Sequence, residues 1–321
     1  MPITGASGEA VARAWEAYVP LDPMDNIFDR YWLLEQLKKG NGFEKQNGSV
    51  IRVNLEYAMN TTTKFMSEME TLTVAKTDTF DNAEFAWKFQ GGDVPITDFE
   101  RDTTAGDAGK FDIEARKIEN LKNTLMDRVN ASFFGDGTGT GGKEFGGLQY
   151  LVPNDPTTGT VGLINRATYS FWRSQQSTDT GSAFSTLLSF MRIVYNNCSN
   201  GIGMQNPTFA VTSQTVFQGY EGLIVATERI DRTSPNDKGL SGYKGQNIMF
   251  KDIPIAYDND CFADNLYMLN DRNLKFVYMA WMKAEKPVRP SDGFWDVFKV
   301  RTTGNLITNN PRRLGVVTSI A

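Results

Sequence analysis

The chain has 321 residues, a formal net charge of −5 and no histidine. It can bury a substantial core in one large or two to three smaller domains, and its charge argues against a surface dominated by nucleic-acid binding. Without histidine, the Ser, Cys and His catalytic triads are excluded and the commonest metal ligand is missing. Cys198 and Cys261 form no CxxC pair, so they predict neither a zinc site nor a disulfide framework and suggest a reducing cytoplasm.

The first 44 residues predict an arm that is too small for a core of its own and must pack on something else. The chain opens with neither a basic region nor an apolar run, so no secretory signal is predicted. No window is long and apolar enough for a membrane span. Ile27, Tyr31, Leu34 and Leu37 have the spacing of a short amphipathic helix, which a Lys-Lys-Gly run then ends.

A long two-stranded ribbon is predicted next. SVIRVNLEYAM alternates apolar and polar residues with period two, and NAEFAWKF does the same. The apolar positions are Ile51, Val53, Leu55, Tyr57 and Met59 in the first strand, and Ala83, Phe85, Trp87 and Phe89 in the second. The residues between them, 60–79, include a strand-like TLTVA and predict a polar, mobile tip. Because an isolated hairpin is marginal in water, the apolar face must lie on its own domain or on a neighbouring subunit. We expect it to lack a partner in its own chain.

A long amphipathic helix is predicted over residues 111–134. It has one apolar stripe with spacings of three and four, formed by Ile118, Leu121, Leu125, Val129 and Phe133. Charged i, i+3 pairs, Glu114 with Lys117 and Glu119 with Lys122, occupy the opposite side. A helix of about twenty residues is about 30 Å long, and Gly135 is expected to end it.

The remainder of the chain predicts a mixed α/β part. GSAFSTLLSFMRIVYNN and SQTVFQGYEGLIVATER have helical patterns, the second with Ser213 as its N-cap, and PTFAVTS reads as a buried strand. NIMFKDIPIAYD predicts a strand interrupted at Pro254, and NLYMLNDRNLKFVYM predicts two short strands around a turn. The tail, from GFWDV onward, predicts strands separated by TTG and NNP turns.

The stretch from Gly137 to Lys143 matches the phosphate-loop pattern G-x-x-x-x-G-K. A working phosphate loop needs a preceding strand, a following helix, and Ser or Thr after the lysine to bind Mg²⁺. Here a helix precedes the motif, Phe-Gly-Gly follows it, and Glu144 would place a carboxylate beside the phosphates. The stretch is therefore interpreted as a flexible glycine turn that closes on a hydrophobic strand, LQYLV.

Two groups of acidic residues have the side chains of divalent-cation ligands or acid–base pairs: Asp258 with Asp260, and Asp98, Glu100 and Asp102. The calcium-loop pattern is not met, so solvated loop acids are the favoured interpretation.

The tail also carries aromatic residues, Phe294, Trp295 and Phe298, for which core packing is favoured over nucleobase stacking. The sequence thus assigns no catalytic, cofactor-binding or metal-binding residue.

The order of these elements resembles the major capsid proteins of tailed bacteriophages, which have the Hong Kong 97-type fold. The most specific letters are the Gly146-Gly147-Leu148 turn after the long helix and the later GLINR segment with Trp172. The resemblance implies an α+β fold with four parts: an N-terminal arm (1–44), an extended β-ribbon loop (45–92), a peripheral domain (93–158 and 272–302) with the spine helix 111–134, and a mixed α/β axial domain (159–271 and 303–321).

The resemblance also implies a function without catalysis or cofactors. Such a chain is a major capsid (head) protein of the virion that self-assembles through hexamers and pentamers into an icosahedral shell around double-stranded DNA, in the host bacterial cytoplasm. The expected partners are other copies, a portal and a possible decoration protein. A separate scaffolding protein is also expected, because only about forty-five residues precede the ribbon. DNA would be enclosed without sequence-specific binding, and no membrane is involved.

Several alternatives stay open. Another phage structural subunit, such as a tail-tube protein, would fit many of the same features, and a nucleotide-binding enzyme using Lys143 is the weaker rival. Lys64 and Lys76 lie in the predicted ribbon tip, where some capsid proteins carry a crosslinking lysine, but nothing in the sequence marks a partner for either.

Overall fold

The structure is a computed structural model that describes residues 31–40, 42–71, 74–104, 113–181, 184–199, 205–227, 248–251 and 253–320. The helices of these residues are α1 (Trp32–Lys39), α2 (Asp98–Thr104), α3 (Ile113–Phe134), α4 (Gly139–Gly142), α5 (Leu148–Leu151), α6 (Leu187–Cys198) and α7 (Gln214–Thr227). The strands are β1 (Phe43–Lys45), β2 (Ile51–Glu56), β3 (Phe80–Phe85), β4 (Lys88–Thr97), β5 (Thr160–Val161), β6 (Ile164–Asn165), β7 (Gln175–Thr178), β8 (Phe209–Thr212), β9 (Ile248–Phe250), β10 (Ile253–Tyr257), β11 (Leu266–Leu269), β12 (Leu274–Ala284), β13 (Trp295–Thr308) and β14 (Gly315–Thr318).

The chain divides into two compact units. The described part of the smaller unit comprises residues 90–104, 113–128 and 280–302, and the larger unit holds the other described residues. The strands form a six-stranded sheet (β7-β14-β11-β8-β10-β9), a four-stranded sheet (β1-β12-β13-β4) and two hairpins, β2–β3 and β5–β6. The mixture of helices and sheets is the α+β composition that the sequence predicted.

The larger unit has its main core on the six-stranded sheet. Strands β8, β11 and β14 are buried along their whole length, as expected for strands covered on both faces. Helix α6 packs on β7 and β14, and α7 packs on β10. The buried stripe of α6 is Leu187, Met191, Val194 and Cys198, which joins Ala210, Leu266 and Val317 of the sheet in one apolar cluster.

The smaller unit combines one face of α3 with parts of three strands. Gly92 of β4 lies so close to the helix that a Cβ there would be 2.7 Å from Leu121 Cδ1. Gln90 Nε2 donates a hydrogen bond to Leu125 O at 3.2 Å. Glycine in a strand often marks such a close approach, and here it brings the strand onto the apolar stripe of the long helix.

The long helix is confirmed, beginning at Ile113 because residues 111 and 112 lie outside the described part, and it ends before Gly135 as predicted. Leu125, Val129 and Phe133 of its stripe are buried. On its charged side, Lys117 binds Glu100 and Arg116 binds Glu119. Among the described side chains the predicted Glu119–Lys122 pair does not form, and the side chain of Glu114, predicted to pair with Lys117, lies outside them. Helix α7 begins after Ser213, whose Oγ accepts a 3.5 Å hydrogen bond from Val216 N, as expected of an N-cap. Helix α1 lies within the predicted amphipathic helix, and the rest of the N-terminal arm before residue 31 lies outside the described residues.

Two predicted strands in the middle of the chain differ from the structure. The LQYLV run forms the helical turn α5 instead of a strand, because Leu148 and Leu151, three residues apart, are both buried; a short apolar run does not distinguish the two structures. NIMFKDIPIAYD breaks at Lys251, which has a positive φ of 45°, and Pro254 lies inside β10 opposite Met249.

The tail differs as well. Strand β13 runs for 14 residues through the TTG sequence, so no turn forms there. Gly304 serves close packing instead: a Cβ at this position would lie 2.6 Å from the Phe276 ring. The NNP turn is confirmed by a 3₁₀ turn at Pro311–Arg313 before β14. Strands β11 and β12 flank the predicted Asn-Asp-Arg-Asn turn, but they belong to different sheets and β12 has 11 residues.

Candidate assembly surfaces

The ribbon is confirmed as an antiparallel pair, with Ile51 opposite Phe85 and Glu56 opposite Phe80. Its strands are shorter than predicted. Strand β2 ends at Glu56, and the alternation in the second strand is broken after Phe85, because a new strand of another sheet starts at Lys88. The TLTVA run forms no strand at the residues of it that the structure describes, 71 and 74–75.

The base of the ribbon, defined as β2 and β3, has an apolar face that is buried within the larger unit. Ile51 and Ala83 are 0% exposed and Phe85 is 3% exposed. The expectation that this face has no partner in its own chain is therefore wrong. The partner is the β5–β6 hairpin, more than seventy residues later in the sequence, which periodicity cannot reveal.

The β5–β6 hairpin is fitted closely to the ribbon base. A Cβ on Gly162 would lie 3.0 Å from both Ala83 Cβ and the Phe85 ring, so only glycine allows this approach. Glu84 N donates to Gly162 O at 3.0 Å, and Trp172 Nε1 donates to Val161 O at 3.0 Å. The GLINR segment and Trp172 thus hold the ribbon base in place.

The tip of the ribbon, residues 57–79, has the opposite character. The structure describes it except at residues 72 and 73. The large apolar side chains with the highest exposure are Met59 (90%), Phe65 (105%), Met69 (96%) and Val74 (98%). Lys64 Nζ lies 2.5 Å from Glu70 Oε1, so this lysine of the tip is in an ion pair. The predicted polar tip is wrong in this respect, although the Met and Phe residues of the tip were a signal for an exposed apolar surface.

The glycine turn, Gly135–Gly147, follows α3 directly. Thr140 adopts a left-handed conformation (φ 51°), and its Oγ1 donates to Glu144 Oε1 at 2.8 Å. Asp136 accepts hydrogen bonds from Thr138 N and Oγ1, which hold the pKa of its carboxyl below the ordinary value. Two carboxylates therefore lie in the loop where a phosphate would have to bind, beside the exposed Lys143.

Asn305 joins the glycine turn to the end of the ribbon base. Its Oδ1 accepts from Gly146 N at 2.8 Å, and its Nδ2 donates to Ala86 O at 2.9 Å. The side chain is 4% exposed. Lys88 Nζ donates to Gly142 O across the same junction. Nothing in the sequence around Asn305 indicated this role, because its partners are more than 150 residues away.

The acidic candidates occupy two separate places. In the larger unit, Asn130 Nδ2 donates to Asp258 Oδ1 at 3.0 Å and to Asp260 Oδ2 at 2.8 Å, and Asp258 is buried. In the smaller unit, Asp98 forms ion pairs with Arg101 and Arg289. The prediction of a solvated loop acid is therefore wrong for Asp258. Across the residues the structure describes, no cluster of three or more His, Cys, Asp or Glu could hold a metal ion.

The charge of Glu100, which is buried on α2, is controlled by its ion pair with Lys117. Burial alone would raise the pKa of the Glu100 carboxyl, but hydrogen bonds from Lys117 Nζ (2.6 Å) and from Thr97 N (3.2 Å) outweigh it and lower the pKa. Its carboxylate is thus kept ionised as part of the α2–α3 contact in the smaller unit.

Burial also shifts the pKa values of two thiols and one guanidinium. Burial raises the pKa of the Cys198 thiol to about 12 and raises that of Cys261 further, so both thiols are kept protonated. Burial lowers the pKa of Arg166 to about 10. The Arg166 guanidinium donates to the carbonyls of Tyr150 and Leu151, at the end of α5.

The prediction that the three tail aromatics pack in the core is wrong for two of them. Phe294 is 82% exposed and Trp295 is 37% exposed, while Phe298 is half-buried. Phe99 of the same unit is also 68% exposed. No helix within the described ranges is long and apolar enough to cross a bilayer.

Solved structures with the same architecture come from viral and related shells. The capsid asymmetric unit of cyanophage A-1(L) matches with a TM-score of 0.69 and 16% identity, covering 94% of this chain and 96% of the other. The capsid of the native GTA particle matches with a TM-score of 0.60 and 12% identity, covering 98% and 100%. The chain has a phage capsid fold. The predicted Hong Kong 97-type class is thereby confirmed at the level of the fold.

A third solved structure with a similar fold is an encapsulin. The holo-SrpI encapsulin complex from Synechococcus elongatus PCC 7942 matches with a TM-score of 0.63 and 10% identity, covering 97% of this chain and 95% of the other. No protein-family model and no curated protein sequence matches the chain. The neighbours in structure are therefore proteins of capsids and an encapsulin.

Proposed function

We propose that this chain is the major capsid protein of a tailed bacteriophage, which assembles through hexamers and pentamers into an icosahedral shell around double-stranded DNA. The observation that carries the proposal is the match over nearly the full length of both chains to capsid subunits. It acts as a structural subunit of the virion, assembled in the host cytoplasm, and performs no catalysis.

The ribbon supports an assembly function. Its base is fixed to the larger unit, while its tip presents Phe65 and Met69 to solvent. Large exposed apolar patches mark interaction sites. Many modest contacts between identical copies, each using such a patch, stabilise a closed shell together. We propose that residues 45–92 act as the extended loop lying on an adjacent subunit, with 93–158 and 272–302 as the peripheral domain and 159–271 and 303–321 as the axial domain.

The proposed partners follow from the same function. Other copies of the chain are the principal partners, with a portal, a separate scaffolding protein and a possible decoration protein as further components of the head. DNA is enclosed without sequence-specific contacts, which agrees with the net charge of −5.

Electron microscopy of the chain expressed alone and with the scaffolding protein of its phage tests this function. Icosahedral particles, or pentameric and hexameric rings, are expected. Open tubes would instead indicate a tail-tube subunit, and a chain that stays monomeric under all assembly conditions would contradict the proposal. Lys143→Ala should leave assembly unchanged, whereas tight ATP binding that this variant abolishes would support the nucleotide-binding alternative.

The likeness to an encapsulin supports a second candidate, a shell that is not a virion. The fold is common to both, so the contents of the particles must distinguish them. Nuclease-protected double-stranded DNA in particles from the native source supports the capsid protein, and particles without DNA but with a protein inside support the second candidate.

A further inference from the structure

The β5–β6 hairpin has a strained residue at its turn. Val161 pairs with Ile164, so Gly162 and Leu163 form a two-residue loop. Both have positive φ, 58° and 67°, as the tight hairpin turn requires. Gly, Asn and Asp are preferred at such positions, because a left-handed conformation brings Cβ too close to the following carbonyl oxygen. Leucine is therefore an unfavourable residue at position 163.

The surroundings of the hairpin hold this conformation in place. Gly162 O accepts from Glu84 N at 3.0 Å, and Gly162 N donates to Tyr150 Oη at 3.3 Å. Trp172 Nε1 donates to Val161 O. Strained residues persist where the neighbouring structure over-determines them, and they often occur at functional positions. The turn is thus a rigid support for whatever side chain stands at position 163.

Among the residues that the structure describes, the Leu163 side chain gains little packing to offset the strain. It is 74% exposed. The other large apolar residues with positive φ in the described part of the chain differ in this respect. Phe184 packs on the main core cluster and against Gly219, and the half-buried Met282 accepts a hydrogen bond at sulfur from Thr302 Oγ1. Leu163 combines strain with exposure.

The surface next to the hairpin is also apolar. Tyr57 stacks on Phe171 with ring centroids 5.7 Å apart, and Tyr169 contacts the same ring at 5.8 Å. Tyr57 is 36% exposed and Tyr169 is 45% exposed. Phe171 directly precedes Trp172, which holds the hairpin, so the aromatic rings belong to the same local structure.

We infer that Leu163 is an anchor side chain that inserts into an apolar surface of a second copy of this chain during assembly. An apolar side chain carried on a rigidly held backbone costs less entropy to order on binding than one on a mobile segment, and burying its exposed area is favourable. The occupant is assigned to a second copy because this chain itself presents exposed apolar surface on the ribbon tip, at Phe65 and Met69. The inference rests on the proposed function, since it names a contact of the proposed shell.

Photo-crosslinking tests the contact independently of particle shape. A benzophenone amino acid is placed at position 163 of the full chain, and the expressed protein is irradiated before and after assembly. Covalent dimers of the chain that increase on assembly support the inference. Absence of dimers, or crosslinks to other proteins alone, would overturn it. If the wild-type chain forms tubes while dimers still appear, the shell function fails and the Leu163 contact stands.

Leu163→Gly and Leu163→Asn supply the matching measurement of assembly. Both remove the strain together with the apolar side chain, so the melting temperature of the unassembled subunit is expected to stay equal or rise by a few degrees, while the assembled fraction at fixed concentration falls at least tenfold. Thr140→Gly is the control, because Thr140 is also exposed and left-handed but is not apolar. Assembly of both Leu163 variants at the level of Thr140→Gly would overturn the inference.

Discussion

The base and the tip of the ribbon are adjacent parts of one hairpin, and both are rich in apolar residues. In the base, Ile51 and Phe85 are buried, and Phe85 lies against the β5–β6 hairpin. In the tip, Phe65 and Met69 are almost fully exposed. The same types of side chain therefore contribute to different processes: those of the base lower the free energy of the folded subunit, and those of the tip are available for contacts with another molecule.

The largest effect on stability is expected from Phe85→Ala. Truncating a fully buried phenylalanine removes transfer free energy and leaves a cavity, at a cost of about 3–5 kcal/mol. Phe80→Ala on the same strand is the matched control, because Phe80 is 71% exposed and should cost under about 0.5 kcal/mol. Urea denaturation of the unassembled subunit measures both. Equal costs for the two variants would show that the ribbon base is not part of the core.

A smaller loss is expected from Asn305→Leu, which breaks the link between the ribbon base and the glycine turn. The change leaves Gly146 N and Ala86 O without their partner, at about 1–3 kcal/mol for a buried group left unpaired. Faster proteolysis near Ala86 should accompany the loss. Asn310→Leu serves as the control, because the Asn310 side chain makes no capping hydrogen bond at the following 3₁₀ turn. Similar proteolysis of both variants would contradict this role of Asn305.

These contacts also show what the sequence could and could not predict. Period-two alternation identified β2, and the spacing of Leu125, Val129 and Phe133 identified the long helix, because both patterns are local. The break after Phe85 and the passage of β13 through its TTG sequence are set by contacts that form only in the fold. The partner of the ribbon base, the role of Asn305 and the conformation of Leu163 depend on residues distant in the sequence, so no pattern indicated them.

The Glu100–Lys117 ion pair in the smaller unit allows the stability that a polar contact contributes to be compared with that of the apolar contacts in the ribbon base. Glu100→Gln should cost about 1 kcal/mol at pH 7, a modest value because Lys117 is partly exposed. Since the folded-state pKa of Glu100 is lowered, its contribution is fully present above the ordinary value of 4.5 and is lost as the pH falls through the folded-state pKa. The difference in the free energy of unfolding between wild type and variant should therefore shrink as the pH is lowered from 7 to 3. A difference that is the same at pH 3 as at pH 7 would exclude the ion pair as its source.

The smallest effect on subunit stability, and the sharpest test of the comparison, is expected from the double variant Phe65→Ser with Met69→Ser in the ribbon tip. Both side chains are more than 90% exposed, so the free energy of unfolding of the unassembled subunit should change by less than about 0.5 kcal/mol per site. Assembly should nevertheless fall strongly, because the apolar area that a neighbouring copy would cover is removed. Glu68→Ser, at an exposed polar position of the same tip, should leave both quantities unchanged. Sedimentation separates subunits from shells, and a variant that unfolds more easily yet assembles normally would reverse the roles assigned to base and tip.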